Sequence, residues 1–169
     1  PQAKQKRMTP LAHFLMKLSV TAIVCVIIFT FVAGVRIQQG NRMYPFLMDG
    51  DLLITYKLGQ YMEGDVVLYR NPETGEKEVS RIAATGQNEI LITEEGQLLI
   101  NRFAPDDQVF YPTQPLEGSE IRYPFRMAEG ECFLLDDFRT QGEDSRLFGA
   151  VSEDDLLGKV VYVFRRREI

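Results

Sequence analysis

The sequence is poor in the residues that build common nucleophilic and metal sites. It has one histidine and two cysteines among 169 residues. His13 and Cys25 fall within the first 35 residues, and Cys132 stands far beyond them in an apolar stretch. We therefore expect no disulfide, no metal, no cofactor and no Ser-His or Cys-His site in the body of the chain. Cys132 is predicted to be a buried strand residue.

Acidic residues are absent from the first 35 positions, where Lys4, Lys6, Arg7 and Lys17 supply four positive charges. The rest of the chain then carries 15 basic and 24 acidic residues. This negative balance argues against a nucleic-acid partner for the body.

A charge-free, apolar run occupies residues 18–35. At 1.5 Å per residue it covers roughly 27 Å as a helix, close to the bilayer core. We predict an uncleaved transmembrane helix, because the run is long for a signal peptide and Ala33-Gly34-Val35 is a poor cleavage site. The positive-inside rule then makes the basic head 1–17 cytoplasmic and the domain 36–169 extracellular, in a single-pass protein of the cell membrane.

Beyond residue 35 the pattern is that of strands separated by glycine and proline turns, and no helical period is sustained. The predicted strands are 51–56, 65–69, 90–92, 98–100, 131–135 and 159–164. The segment 101–129, with four prolines, is predicted to be an irregular surface excursion. The fold class is mainly β.

Three segments, in order after the apolar run, resemble the type I signal peptidase family. Residues 40–51 are similar to G-x-S-M-x-P-T-L-x-x-G-D, and residues 64–86 to G-D-I-V followed by V-K-R-V-I-G-x-P-G-D. Residues 130–160 resemble G-x-x-F-x-x-G-D-N-R, D-S-R, F-G and G-K-x. The resemblance implies a β-fold of coiled antiparallel sheets behind one membrane helix.

In that family a serine attacks the peptide bond and a neutral lysine takes its proton. The serine position here holds Arg42 and the lysine position holds Ser80, while two supporting positions hold Asp136 and Gly142. A guanidinium stays protonated and can be neither nucleophile nor base, so we expect Arg42 to be solvated or paired with Asp136 or Asp144. From these losses the sequence predicts that the chain is not an enzyme. An active serine peptidase with an unconventional site is the alternative.

The remaining charged residues of the third segment have a structural interpretation. Asp137, Arg139, Asp144 and Arg146 match family positions, and the resemblance implies that they form an ion-pair and hydrogen-bond network. Paired carboxylates such as Asp154/Asp155 are interpreted as turns.

The chain is most similar to the catalytically degenerate signal-peptidase-like proteins that Gram-positive bacteria need for pilus polymerisation. This resemblance implies an assembly factor or chaperone that presents pilin subunits to a sortase. A regulator of an active paralogue is a further alternative. Met43, Tyr44 and Phe46 directly follow the anchor, and they are predicted either to pack in the core or to form an apolar edge that binds an extended peptide by strand addition.

Overall fold

The computed structural model describes residues 9–105 and 111–165. Helix α1, Pro10–Ile27, begins at Thr9, whose hydroxyl accepts a hydrogen bond from the Ala12 N–H. A π-helical turn, Ile28–Val32, continues it. An 18-residue window of this 23-residue segment has a mean hydropathy of 2.4 and none of the window is buried, so the segment is long and apolar enough to cross a bilayer. It is compatible with a single-pass anchor. Residues 1–8 of the basic head, which include Lys4, Lys6 and Arg7, lie outside the described residues, and the orientation in the membrane stays a prediction.

The helical segment ends three residues before the apolar run does. Ala33 begins strand β1, Ala33–Ile37, which pairs antiparallel with β2, Leu52–Tyr56. The Lys57 ammonium caps the last helical turn by donating to the carbonyls of Phe29 at 3.1 Å and Thr30 at 2.9 Å. Sheet pairing and this cap explain why residues 33–35 are extended although they are apolar.

Eight further strands complete two antiparallel sheets. They are β3 Val66–Arg70, β4 Lys77–Thr85, β5 Glu89–Ile92, β6 Leu98–Ile100, β7 Phe125–Arg126, β8 Glu131–Leu135, β9 Val151–Ser152 and β10 Leu156–Phe164. One sheet has the order β1-β2-β10-β3-β4-β8-β9 and the other β6-β5-β7. The larger sheet is curled, since Arg36 of β1 reaches the Lys77 carbonyl of β4. The predicted mainly-β fold with one N-terminal apolar helix is confirmed.

Three apolar clusters lie between these strands. One surrounds Cys132 on β8, a second surrounds Phe133, and a third joins Met43 and Leu47 to the inner face of β2 at Leu53. Cys132 is fully buried, as predicted, and burial raises the pKa of its thiol to about 12. The cysteine therefore serves packing and not nucleophilic chemistry.

The described part of the segment between β6 and β8 is mostly irregular, but it is not confined to the surface. Strand β7 within it pairs with β5, and Thr113 is buried, where its hydroxyl accepts a hydrogen bond from Arg139 at 2.8 Å. Helix α2, Ser145–Phe148, follows β8 and carries Arg146. The segment thus closes one side of the buried polar groups described next.

Candidate functional site

Arg42, in the loop between β1 and β2, lies among three carboxylates. Its Nη2 is 3.0 Å from Glu78 Oε2, its Nη1 is 3.4 Å from Glu143 Oε2, and its Nε is 3.9 Å from Asp136 Oδ2. Burial lowers the pKa of the guanidinium, but Asp136 and Glu78 outweigh burial and raise it above its ordinary value. Of the two partners predicted, Asp136 is near and Asp144 is bonded elsewhere. The nearest partner, Glu78, stands two residues before Ser80 on β4, and strand alternation could have placed both on one face.

Ser80 lies on β4, opposite Val67 of β3, and is fully buried. Its hydroxyl is close enough to the Asp136 carboxyl to lower the pKa of that group. Neither Ser80 Oγ nor Asp136 Oδ2 has a hydrogen-bond partner of good geometry among the described residues. The two side chains therefore face each other with unused hydrogen-bonding capacity, which is costly in a buried place.

Asp136 directly follows β8 and is only 2% exposed. Burial, reinforced by the neighbouring Asp144, raises the pKa of its carboxyl to about 8, while Arg42 acts in the opposite direction. The backbone N–H of Asp136 donates a hydrogen bond to Asp144 Oδ2 at 3.0 Å, which keeps the two residues adjacent. An aspartate with a pKa near working pH has the property required of a general base or acid.

Gly142 occupies the second supporting position and leaves no room for a side chain. A Cβ built on it would lie 2.8 Å from Asp144 Oδ2, 2.9 Å from Arg146 Nη2 and 2.9 Å from the Asp136 Cβ. Distances under 3 Å are below normal van der Waals contact, so the serine of the family pattern would displace its neighbours. Asp144, Arg146 and Asp136 thus pack closely around this glycine.

The four residues predicted as a network fall into two groups of hydrogen bonds: Arg139, Asp144 and Arg146 form one, and Asp137 belongs to the other. The Arg146 guanidinium donates to both carboxylate oxygens of Asp144, at 2.8 and 2.9 Å. It also donates to the Arg139 carbonyl at 2.8 Å. Asp137 accepts two hydrogen bonds from Arg81, at 2.7 and 2.6 Å. Sequence reasoning missed Arg81, although it stands next to Ser80 in the matched segment. These bidentate pairs fix the loop that carries Asp136.

The residues after the anchor divide between core and surface. Met43 is fully buried with Leu47, whereas Tyr44 and Phe46 are 40% and 41% exposed. Because Met43 packs in the core, it cannot belong to an exposed edge, and the core alternative holds for it. The Tyr44 ring packs edge-on against Phe138 at 6.2 Å, and the Phe46 ring lies 4.9 Å from the Arg81 guanidinium. A peptide-binding role for Tyr44 and Phe46 stays a prediction.

Within residues 9–105 and 111–165 no group of three or more His, Cys, Asp or Glu side chains could hold a metal ion. The site instead brings together the buried hydroxyl of Ser80 and the buried carboxyl of Asp136, whose pKa is raised.

Comparison with known proteins resolves the family. The sequence model described as "Signal peptidase, peptidase S26" matches residues 11–165. The chain belongs to the signal peptidase family. Signal peptidase IB of Staphylococcus aureus (strain Mu50) is 22% identical over 91% of this chain and 89% of its own length. The probable signal peptidase I-1 of Synechocystis is 24% identical over 87% of this chain and 79% of its own length.

The fold agrees with a solved member of the family. The crystal structure of a signal peptidase I from Enterococcus faecalis aligns with a TM-score of 0.51 and 21% identity, over 62% of this chain and all of that chain. At this identity the match establishes the fold alone.

These comparisons correct one prediction from the sequence. The prediction that the chain is not an enzyme is wrong, because the relatives that align with almost its whole length are named signal peptidases and point to an enzyme. The error came from counting lost groups at Arg42, Ser80 and Gly142. Folding brings a hydroxyl and a titratable carboxyl together in the same place.

Proposed function

We propose that the protein is a membrane-anchored serine peptidase that cleaves segments of exported proteins at the membrane surface. In this proposal Ser80 is the nucleophile and Asp136 is the general base. Two findings support it: the relatives are signal peptidases, and the buried Ser80 hydroxyl adjoins a carboxyl whose pKa is about 8. The observation that carries the assignment is this Ser80–Asp136 contact.

The reaction follows from these two groups. Ser80 Oγ adds to the substrate carbonyl carbon as its proton passes to the ionised Asp136 carboxylate. The C–N bond then breaks, and Asp136 returns the proton to the leaving amine. Water hydrolyses the resulting serine ester, giving a proton to Asp136 that returns to Ser80 Oγ. Because only ionised Asp136 accepts the first proton, the rate should rise with pH toward and above about 8.

Ser80 is fully buried, so a substrate must displace a neighbouring side chain to reach it, and in this proposal that side chain is Arg42, which adjoins the same Asp136 carboxyl. The ion pair of Arg42 with Glu143 is at the surface, where the Glu143 side chain is 73% exposed, so this contact adds little to hold Arg42 in place. The 3.0 Å pair between Arg42 Nη2 and Glu78 is kept, and once the Glu143 contact opens, Arg42 Nη1 is available to donate a hydrogen bond to the oxyanion of the tetrahedral intermediate. Arg42 thus supplies positive charge where the family pattern has the nucleophile.

Cleavage of a fluorogenic signal-peptide substrate by the full-length, detergent-solubilised protein tests this proposal. Ser80→Ala should reduce turnover to background, since it removes the attacking oxygen, whereas the exposed-serine control Ser152→Ala should retain it. Absence of turnover in the unaltered protein, or turnover that survives Ser80→Ala, would contradict the assignment.

We further propose that the exported proteins handled here are pilin subunits, with a sortase as partner, and that the protein acts in pilus assembly. The resemblance to pilus assembly proteins supports this, as do the exposed Tyr44 and Phe46 rings near the end of the anchor. Replacing both rings with Asp should abolish polymer ladders on a cell-wall blot because an apolar contact surface is lost. Tyr162→Asp, at an exposed aromatic on β10, serves as the control. Unchanged ladders in the double variant would refute the role of these rings.

A further inference from the structure

Strand β1 has one open edge. It is the outermost strand of the larger sheet and pairs there with β2 alone. Hydrogen bonds from Lys57 N to Val32 O and from Gln38 N to Asp51 O show that even-numbered residues bond to β2. By the alternation of antiparallel ladders, the main-chain groups of residues 33, 35 and 37 are directed to the other side. This side can accept an additional strand.

The start of β4 is open in the same way. Residues 81–85 of β4 pair with β8, whereas residues 77–80 pair only with β3. The open parts of β1 and β4 border one cleft, whose lining includes Arg36, Arg42, Lys77 and Glu78. A peptide extended along this cleft would lead to Ser80.

Arg36 divides this cleft. Its Nη2 donates to the Lys77 carbonyl at 2.5 Å. Arg36 and Lys77 line both a pocket of about 440 Å³ next to Phe29, at the end of the anchor, and a pocket of about 80 Å³ next to Arg42. An extended peptide that occupies both pockets must therefore displace Arg36 from the carbonyl.

The displaced guanidinium would need a new acceptor. Among the described residues no carboxylate lies within 4.0 Å of it, and Glu78 is already engaged by Arg42 at 3.0 Å and by the Tyr69 hydroxyl at 3.0 Å. A half-buried cation left without an acceptor costs free energy, and a carboxylate is its strongest partner. The peptide that best compensates this cost carries an acidic side chain at the point where it passes Arg36.

We propose that Arg36 is a specificity-determining residue that selects extended segments bearing an aspartate or glutamate. This inference rests on the proposed function to the extent that the peptide is taken to lie in the cleft leading to Ser80. It differs from that proposal in what is measured, because it concerns binding and not hydrolysis.

The test uses the full-length Ser80→Ala protein in detergent and a fluorescein-labelled, extended decapeptide of alanine and serine residues. Each position in turn carries Asp, Asn or Lys, and affinity is measured by fluorescence anisotropy. At one position Asp should bind about tenfold more tightly than Asn, as expected for one charge-assisted hydrogen bond. Arg36→Gln should remove this preference and Arg36→Lys should retain part of it, while Arg36→Glu should favour Lys at that position. Arg126→Gln, at an arginine that is 81% exposed outside the cleft, is the matched control.

Each other outcome has a definite consequence. Equal affinity for Asp and Asn at every position overturns the inference, as does a preference that survives Arg36→Gln or that disappears only with Arg42→Gln. Failure of every peptide to bind overturns it as well. A further outcome is that the unaltered protein binds acidic peptides through Arg36 and yet cleaves no substrate. That result would support Arg36 as the specificity residue and would refute the peptidase proposal.

Discussion

Asp136 and Asp144 are neighbours with the same degree of burial and opposite environments. Asp144 is fully buried, and Arg146 binds both of its oxygens, while the N–H groups of Arg146 and Asp136 donate to it as well. Asp136 is 2% exposed, its nearest cation is 3.9 Å away, and its Oδ2 has no hydrogen-bond partner among the described residues. The difference teaches that Asp144 is a structural carboxylate, fixed by its ion pair with Arg146, whereas Asp136 is left able to exchange a proton.

The largest effect on stability should come from breaking the buried ion pair between Arg146 and Asp144. Arg146→Met removes the partner of Asp144 and leaves a buried, uncompensated carboxylate, which typically costs about 3–5 kcal/mol. The free energy of unfolding from urea titrations of the full chain in detergent, followed by circular dichroism, should fall by that order. Arg126→Met, which breaks a surface pair with Glu89, should change it by less than about 1 kcal/mol. Equal effects of the two variants would show that the buried pair has no structural role.

Local pattern was sufficient to predict the framework of the fold. Six strands and the apolar helix follow from period-two alternation and from the charge-free run. Strand β4 was missed because Lys77, Glu78, Ser80 and Arg81 interrupt its apolar pattern. Three of these polar residues lie next to site residues: Glu78 pairs with Arg42, Ser80 adjoins Asp136 and Arg81 binds Asp137. The strand was therefore hard to recognise for the same reason that it carries the site.

The candidate site was predictable only in its positions. Motif matching placed Arg42, Ser80, Asp136 and Gly142 together, but their partners depend on tertiary distances. Arg42 pairs with Glu78, and burial raises the pKa of Asp136, only because the folded sheet brings distant segments together. No local sequence pattern encodes this arrangement. For the same reason the sequence assigned Met43 to the edge and the core equally, while folding places it in the core.

A smaller effect per pH unit should come from the titratable carboxylate of Asp136, and it should accumulate as pH rises. The native state keeps the Asp136 proton up to about pH 8, whereas the unfolded chain loses it near its ordinary pKa of 3.8. Between these values the native state binds more protons, so this group makes stability fall as pH rises, by at most about 1.4 kcal/mol per pH unit. Asp136→Asn cannot titrate and should therefore show a flatter profile from pH 5 to 8.

The difference between the two profiles isolates Asp136, because every other group titrates in both proteins. It is read from urea unfolding at each pH, with Asp154→Asn as a control in which the carboxylate removed lies on the exposed turn after β9. The unaltered protein should lose stability relative to Asp136→Asn as pH rises, and the control should parallel the unaltered protein. Parallel profiles for Asp136→Asn and the unaltered protein would mean that Asp136 is ionised throughout this range. It would then be a fixed charge like Asp144, and the proposed base would not titrate near pH 8.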